Sequence, residues 1–492
     1  MNSRVLRSLL SLMLALYLLC ALLANPAARA EETAQVPSPE PPPGAVAYDS
    51  SQPENLLQEQ LAAHAYILME ASTGDVLLQY NADEPMNPAS TTKIMTALLA
   101  LEYAQNGFDN IDQGLSQIIT ASDNVTQVAA DGSMIGLRSG ERISLKDALY
   151  GMLLHSGNDA SVAVAEFVSG TEPLFVDHMN QAASLLGMTG THFSNSHGLY
   201  SPDHYTTARD LAIATRTALS IPMFRRIVST VRYTIPQSNV RAAYNMQNSN
   251  AMLNPEGGYY MSDIIGVKTG TTTQSAYCFV AAAERKGVTL ISVVLYSGMY
   301  YRWYDTRKLM EYGFSQYDSV TPEEIYTKAP IDVRTIGFSI DDPGRGELTL
   351  SIRAQNPLST TRITGPIADV QLYSEQYRSY STIQITSDLR APISKGDVLG
   401  VLTFYTPDGD APRYDLVASR DVEARANAPL TIEQIAEMAR SGEFTAISWE
   451  WLSLPIAAGL AAIFAFRAVF RRIRARRRDA KQIPKPKRRS YQ

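Results

Sequence analysis

The spacing of apolar residues changes along the chain, and each change marks a different element. His64 to Glu70 reads as a strand that turns at Ser72-Thr73-Gly74 into a second strand, Asp75 to Tyr80. After Asn87-Pro88-Ala89 the spacing widens to that of a helix through Ile94, Leu98 and Leu101, with Ser90 at its start. Ser144-Leu145-Lys146-Asp147 opens another helix in a capping-box pattern. It runs to about Leu154, breaks at Ser156-Gly157-Asn158-Asp159 and resumes from Ala160 to Phe167. Ile264 to Val267 enters Lys268-Thr269-Gly270, two strands (Ala276 to Ala283, Leu290 to Tyr296) flank the Arg285-Lys286-Gly287 turn, and Arg302 to Phe314 closes the unit as a helix. Strands at both ends with helices between them predict an α+β domain over 56–318, an antiparallel sheet with a helical cluster in its middle.

From 319 to 426 short alternating strands take over: Leu348, Leu350 and Ile352; Val370 and Leu372; Ile383 and Ile385; Val398 to Phe404; Leu416 to Val417. With turn signals such as Asp342-Pro343-Gly344 between them, they predict a small all-β domain. A juxtamembrane helix capped by Thr431 is expected over 427–448.

The two ends read as targeting segments. Arg4 and Arg7 precede an apolar run from Leu9 to Ala24, and Ala28-Arg29-Ala30 follows, which is a signal peptide over 1–30 cut after Ala30. A helix over Leu9 to Ala24 would be about 24 Å long, short of the roughly 30 Å hydrocarbon core, which favours cleavage over a permanent span. A Pro-rich leader over 31–55 is expected to be flexible. At the other end Trp451 to Phe466 is apolar on every face of a helix, and with Arg467 snorkelling 449–470 is long enough for a transmembrane helix, while the basic tail 471–492 fixes that end in the cytoplasm. The expectation is an exported protein tethered at the extracytoplasmic face of the membrane.

Composition sharpens this picture in two places. The net charge of -6 hides twelve Lys/Arg against one acid between Arg467 and Gln492, so the body is strongly acidic and no nucleic-acid partner is expected. Of two cysteines only Cys278 survives removal of the leader, so no intramolecular disulfide forms, and on its strand it reads as a small core residue. Six histidines include no His-Glu-x-x-His, and no metal or cofactor is expected.

Only one of the ten lysines, Lys93, has a serine three residues before it. On a helix, Ser90 and Lys93 share a face, so the amine reaches the hydroxyl. A resting serine is a poor nucleophile and needs a base beside it. Lysine serves only if its pKa falls from about 10.4 towards 7, at a cost of roughly 4–5 kcal/mol, which burial and a nearby cation supply. Lys268-Thr269-Gly270, coming off a strand, offers a cation and a hydroxyl for a carboxylate, with Gly270 permitting close approach of a ligand backbone. Ser156-Gly157-Asn158 offers a hydroxyl for proton relay and an amide for orientation.

In this order the three motifs, Ser90-Thr91-Thr92-Lys93, Ser156-Gly157-Asn158 and Lys268-Thr269-Gly270, form the set found in serine penicillin-recognising enzymes. The flanking text, with His197-Gly198-Leu199 and Thr207-Ala208-Arg209-Asp210, resembles the D-alanyl-D-alanine carboxypeptidases among the low-molecular-mass penicillin-binding proteins, from His64 to Tyr317. The β region is similar to that family's C-terminal domain at Ala391 to Gly400 and Tyr414 to Val422. The resemblance implies a β-lactamase/transpeptidase-like fold and removal of the terminal D-Ala from a peptidoglycan stem peptide. Ser90 would be the nucleophile, Lys93 the base and Ser156 the proton relay. Asn158, Lys268, Thr269, Gly270 and Thr271 would bind substrate, with the Ser90 and Thr271 N–H groups as oxyanion hole, and β-lactam antibiotics would acylate Ser90. A D,D-transpeptidase, an endopeptidase, a β-lactamase, or a non-catalytic penicillin-binding sensor or cell-wall binding module are the alternatives. A second spelling, Ser122-Asp123-Asn124, reads as a decoy because it lacks the helix-break context. Where the family usually has glycine, this chain has Ala276, which is expected to narrow the space beside the substrate strand.

Overall fold

The computed structural model describes residues 48–128, 132–356 and 361–425, with Ile432 and Ala436 beyond them. The expected signal peptide (1–30), transmembrane helix (449–470) and basic tail (471–492) lie outside the described residues, as does the juxtamembrane helix apart from Ile432 and Ala436. Among the described residues no helix is long and apolar enough to cross a membrane. The described residues form two compact units: 48–330 with Ile352–Ile385 and Gly400–Leu416, and Ile331–Ser351 with Thr386–Leu399 and 417–425.

The first unit is built on strands β1 (Ala65–Glu70), β2 (Val76–Tyr80), β7 (Ile264–Thr272), β8 (Ala276–Arg285) and β9 (Val288–Ser297), paired antiparallel in the order β2-β1-β9-β8-β7. Two small ladders, β3 (Ile118–Thr120) with β4 (Arg142–Ser144) and β5 (Arg232–Ile235) with β6 (Tyr244–Gln247), flank the helical cluster. The sheet thus joins chain from both ends of the domain, as the element order predicts.

The uninterrupted apolar text of β1 follows from burial on both faces. Ala65, Ile67 and Met69 enter one core with Ile94, Leu98, Leu101 and Leu211 of the helical cluster, whereas Tyr66 and Leu68 enter another with Trp303, Leu309 and Met310. Helix Tyr301–Gln316 carries the last three and covers the sheet's second face. The leader departs from expectation at its end, because Tyr48 packs against that second core with Lys308 Nζ 5.4 Å from its ring centre. Cys278 is a buried core residue, and burial pushes its thiol up to about 11.

Several boundaries shift. The Lys268-Thr269-Gly270 triplet lies inside β7 rather than after it, and the resumed helix begins at Asn158 and ends at Ser169. The expected strand at Val370 and Leu372 is instead a helix, Ile367–Glu375. Val370 and Tyr373, three apart, are its buried residues and Leu372 is exposed, so the apparent alternation was one turn of helix. With helix Pro322–Lys328 as well, the C-terminal region is not all-β. In the first unit Tyr317–Val320 pairs with Ile363–Pro366, and Ser381–Ile385 pairs with residues 400–404. In the second, Asp332–Arg334 pairs with residues 347–349, and Arg420 grips Asp342, which also caps the Gly346 N–H at 2.7 Å.

Ala276 has φ of 49°, in the left-handed region where a Cβ is disfavoured. The demand at this position is therefore on the backbone as β8 begins, not on space beside the cleft, and glycine would meet it without strain. Ala276→Gly should stabilise the protein by about 0.5–1 kcal/mol, relief of strain outweighing the flexibility glycine adds to the unfolded chain. Thermal denaturation checks this; an unchanged or lower Tm would mean that the methyl group's packing outweighs the strain.

Candidate active site

Ser90 is presented by a strained turn. Ala89 is fully buried with φ of 48°, and Ala89–Thr92 makes a 3-10 turn that passes directly into helix Lys93–Asn106. One turn along, Lys93 places Nζ 3.0 Å from Ser90 Oγ. The amine has two further neighbours, Asn158 Oδ1 and the His197 carbonyl oxygen, each at 2.6 Å. Both oxygens accept and cannot donate. A neutral amine has two N–H groups and one lone pair, so its protons go to these oxygens and its lone pair faces the Ser90 hydroxyl. Burial first, and the Lys268 cation second, hold Lys93 well below the ordinary lysine value against an opposing pull from Asp159.

Each neighbour of the amine is itself held. Ser156, with φ of 64°, turns the chain after helix Leu145–Leu154 so that the next helix starts at Asn158, whose N–H donates to the Ser133 carbonyl at 2.8 Å. The Asp159 carboxylate is occupied by the Ile135 and Leu137 N–H groups at 3.0 and 2.8 Å. The His197 carbonyl is aimed by Asn195, whose Oδ1 accepts from the His197 and Gly198 N–H groups at 3.2 and 2.6 Å.

Across the cleft, β7 brings up the second half of the site. Lys268 is buried, donates to Ser156 Oγ at 3.0 Å and to the Thr269 carbonyl at 2.9 Å, and is pulled down to about 7 by burial and by Arg302. Thr269 Oγ1 lies 2.8 Å from Ser249 Oγ. Gly270 serves packing: a Cβ there would lie 2.9 Å from the Pro88 carbonyl oxygen and 3.1 Å from Ala89 Cβ, so its missing side chain admits the turn that carries Ser90. Arg302 Nη1 donates to Thr271 Oγ1 at 3.3 Å, and the guanidinium lies over the rings of Tyr277 and Trp303 at 5.0 and 4.4 Å. Burial pulls it down to about 10, its Nε is buried without a partner, and no carboxylate pairs with it among the described residues.

The structure therefore brings Ser90, Lys93 and Asn158 into one group and Ser156, Lys268 and Thr269 into a second, with Thr271 joined to Arg302 at its edge. Ser122 and Asn124 are occupied elsewhere, donating to the two oxygens of Glu166 at 2.6 Å each. The His197 carbonyl, Asp159, Ser249 and Arg302 were missed by motif reading. Only the Asp159 position, directly after Asn158, and the His197-Gly198-Leu199 text carried any signal.

A D-alanyl-D-alanine carboxypeptidase family profile (peptidase S11) matches residues 50–298. The Bacillus subtilis D-alanyl-D-alanine carboxypeptidase DacF is 30% identical over 361 residues, spanning 73% of this chain and 85% of its own. Escherichia coli D-alanyl-D-alanine carboxypeptidase DacC is 29% identical over 367 residues, spanning 73% and 84%. Among solved structures, penicillin binding protein 5 from Haemophilus influenzae matches over 75% of this chain and all of its own, at 26% identity and a TM-score of 0.50.

Because the Lys268 cation disfavours a charge on Lys93, removing it should raise the Lys93 pKa. In Lys268→Met the acidic limb of the pH profile for acylation of the protein by a penicillin should move to higher pH, on top of a lower maximal rate. Stopped-flow acylation across pH measures this, and a limb that stays in place or moves to lower pH would show that the two amines do not interact.

Proposed function

The chain belongs to the D-alanyl-D-alanine carboxypeptidase family and is a serine-type hydrolase, and on that premise we propose that Ser90, Lys93, Ser156 and the Lys268 strand carry its reaction. Ser90 Oγ attacks the carbonyl of the penultimate D-Ala as its proton passes to the Lys93 lone pair. The oxyanion is met by the Ser90 and Thr271 N–H groups. Collapse breaks the peptide bond, and the departing D-Ala amine receives a proton through Ser156, with Lys268 3.0 Å behind it. That proton is the one Lys93 took from Ser90, so the amine is neutral again when water attacks the acyl ester; Lys93 takes a proton from the water and passes it to Ser90 Oγ as the ester C–O bond breaks. Thr269, Ser249 and Arg302 hold the terminal carboxylate; Asn158 orients both Lys93 and the substrate amide. A β-lactam acylates the same serine. The observation that carries this reading is the buried Lys93 amine whose two other neighbours can only accept.

The N-terminal and C-terminal apolar segments favour an exported protein held at the outer face of the membrane, with peptidoglycan stem peptides as substrate. The C-terminal strands then act as a stalk or partner surface between the catalytic domain and the membrane.

Ser90→Ala should abolish covalent labelling by a fluorescent penicillin, and Ser122→Ala should leave it largely intact; the reverse pattern would overturn the assignment. Incubation with an N-acylated D-Ala-D-Ala peptide should release free D-Ala, whereas dimeric product would indicate a transpeptidase. Arg302→Gln should lower kcat/KM for this peptide by roughly ten- to a hundred-fold, the worth of a hydrogen bond to a charged group. Wild type and variant should differ little on a substrate with an amidated C-terminus, and an equal loss on both would remove Arg302 from carboxylate binding.

A further inference from the structure

Segment 193–206 offers more than the His197 carbonyl. It carries His204, which is almost fully buried. His204 Nδ1 accepts from the Ser194 backbone N–H at 3.0 Å, a group that can only donate. The proton of the neutral ring is therefore on Nε2, which stands 2.8 Å from Thr92 Oγ1. Thr92 accepts it, and its own hydroxyl proton goes to the Ala89 carbonyl oxygen at 2.8 Å. Each direction in this chain is forced by the one before. Burial above all pulls His204 down to about 4 and keeps the one-donor, one-acceptor ring.

The Ala89 carbonyl belongs to the peptide plane whose N–H is that of Ser90. In a trans peptide the two point in opposite directions, so a hydrogen bond on the oxygen fixes where the N–H aims. That N–H donates to no protein acceptor among the described residues. The plane also sits behind a left-handed Ala89 and against Gly198, where a Cβ would lie within 1.9 Å of the Ala89 oxygen. A strained turn of this kind persists only where its surroundings over-determine it.

We propose that His204 is a positioning residue for acyl transfer: through Thr92 it anchors the Ala89 carbonyl and so aims and polarises the Ser90 N–H at the developing oxyanion. Its effect falls on the chemical step and not on substrate binding. It rests on Ser90 as the nucleophile.

The test uses the full chain and D-Ala release from an N-acylated D-Ala-D-Ala peptide. Thr92→Val and His204→Leu should each lower kcat by about 10- to 100-fold, a partial loss of one oxyanion donor, with KM changed less than about twofold. Thr92→Ser, which keeps the hydroxyl, should recover most of the loss, and the double variant should be no worse than the poorer single one. A retained kcat in folded Thr92→Val, or a change confined to KM, overturns the proposal. Should Thr92→Val not fold, His204→Gln, which keeps an N–H donor, is compared with His204→Leu, and equal kcat values overturn it. If Ser90→Ala still labels with penicillin, the nucleophile itself is misassigned; if labelling requires Ser90 and these variants keep kcat, only the role of His204 falls.

Discussion

Two amines share one water-poor cleft, and neither can carry its charge cheaply. Holding Lys268 near 7 instead of its usual 10.5 alone costs on the order of 5 kcal/mol. That is a large share of the 5–15 kcal/mol by which domains are ordinarily stable. The cost is bearable because the site is wedged between an extensive double core and a set of carbonyl oxygens that suit an uncharged amine. The lowered pKa of both amines is thus a property of the whole domain's packing.

The same packing explains how residues 112 positions apart, Ser156 and Lys268, meet at 3.0 Å. β7 lies at the edge of a sheet whose interior strands are buried on both faces, and the nucleophile's turn lies against that edge. The segment around His197 closes the third side. Thr96 and Ser161, from separate helices, both donate to the Ser196 carbonyl, at 2.6 and 2.7 Å, so the loop is fastened to the helices that carry Lys93 and Asn158. Lys93, Asn158 and the His197 carbonyl are consequently referenced to a common frame.

Much of this was legible in the sequence because it is local. Ser90 and Lys93 needed only helical spacing, the capping by Ser144 needed only a short-range pattern, and the long strands announced themselves by apolar runs. What stayed hidden depends on tertiary placement or on backbone atoms. Arg302 sits in an ordinary amphipathic helix, and only the alignment of β7 and β8 brings Tyr277 and Thr271 beneath it. The His197 contribution is a carbonyl that any residue possesses. The left-handed turns at Ala89, Ser156 and Ala276 carry no glycine signal, and Val370 with Leu372 shows how two residues can imitate a strand while belonging to a helix.

Gly270 illustrates a different kind of constraint. Its missing side chain lets β7 rest on the turn that bears Ser90, against the Pro88 carbonyl and the Ala89 and Thr91 side chains, so the gauge of the slot is set by this packing. Enlarging it for bulkier acyl groups would require rebuilding Pro88 to Thr91 together with the strand. Change in substrate preference in this scaffold is thereby steered away from the floor and towards side chains that do not touch Gly270.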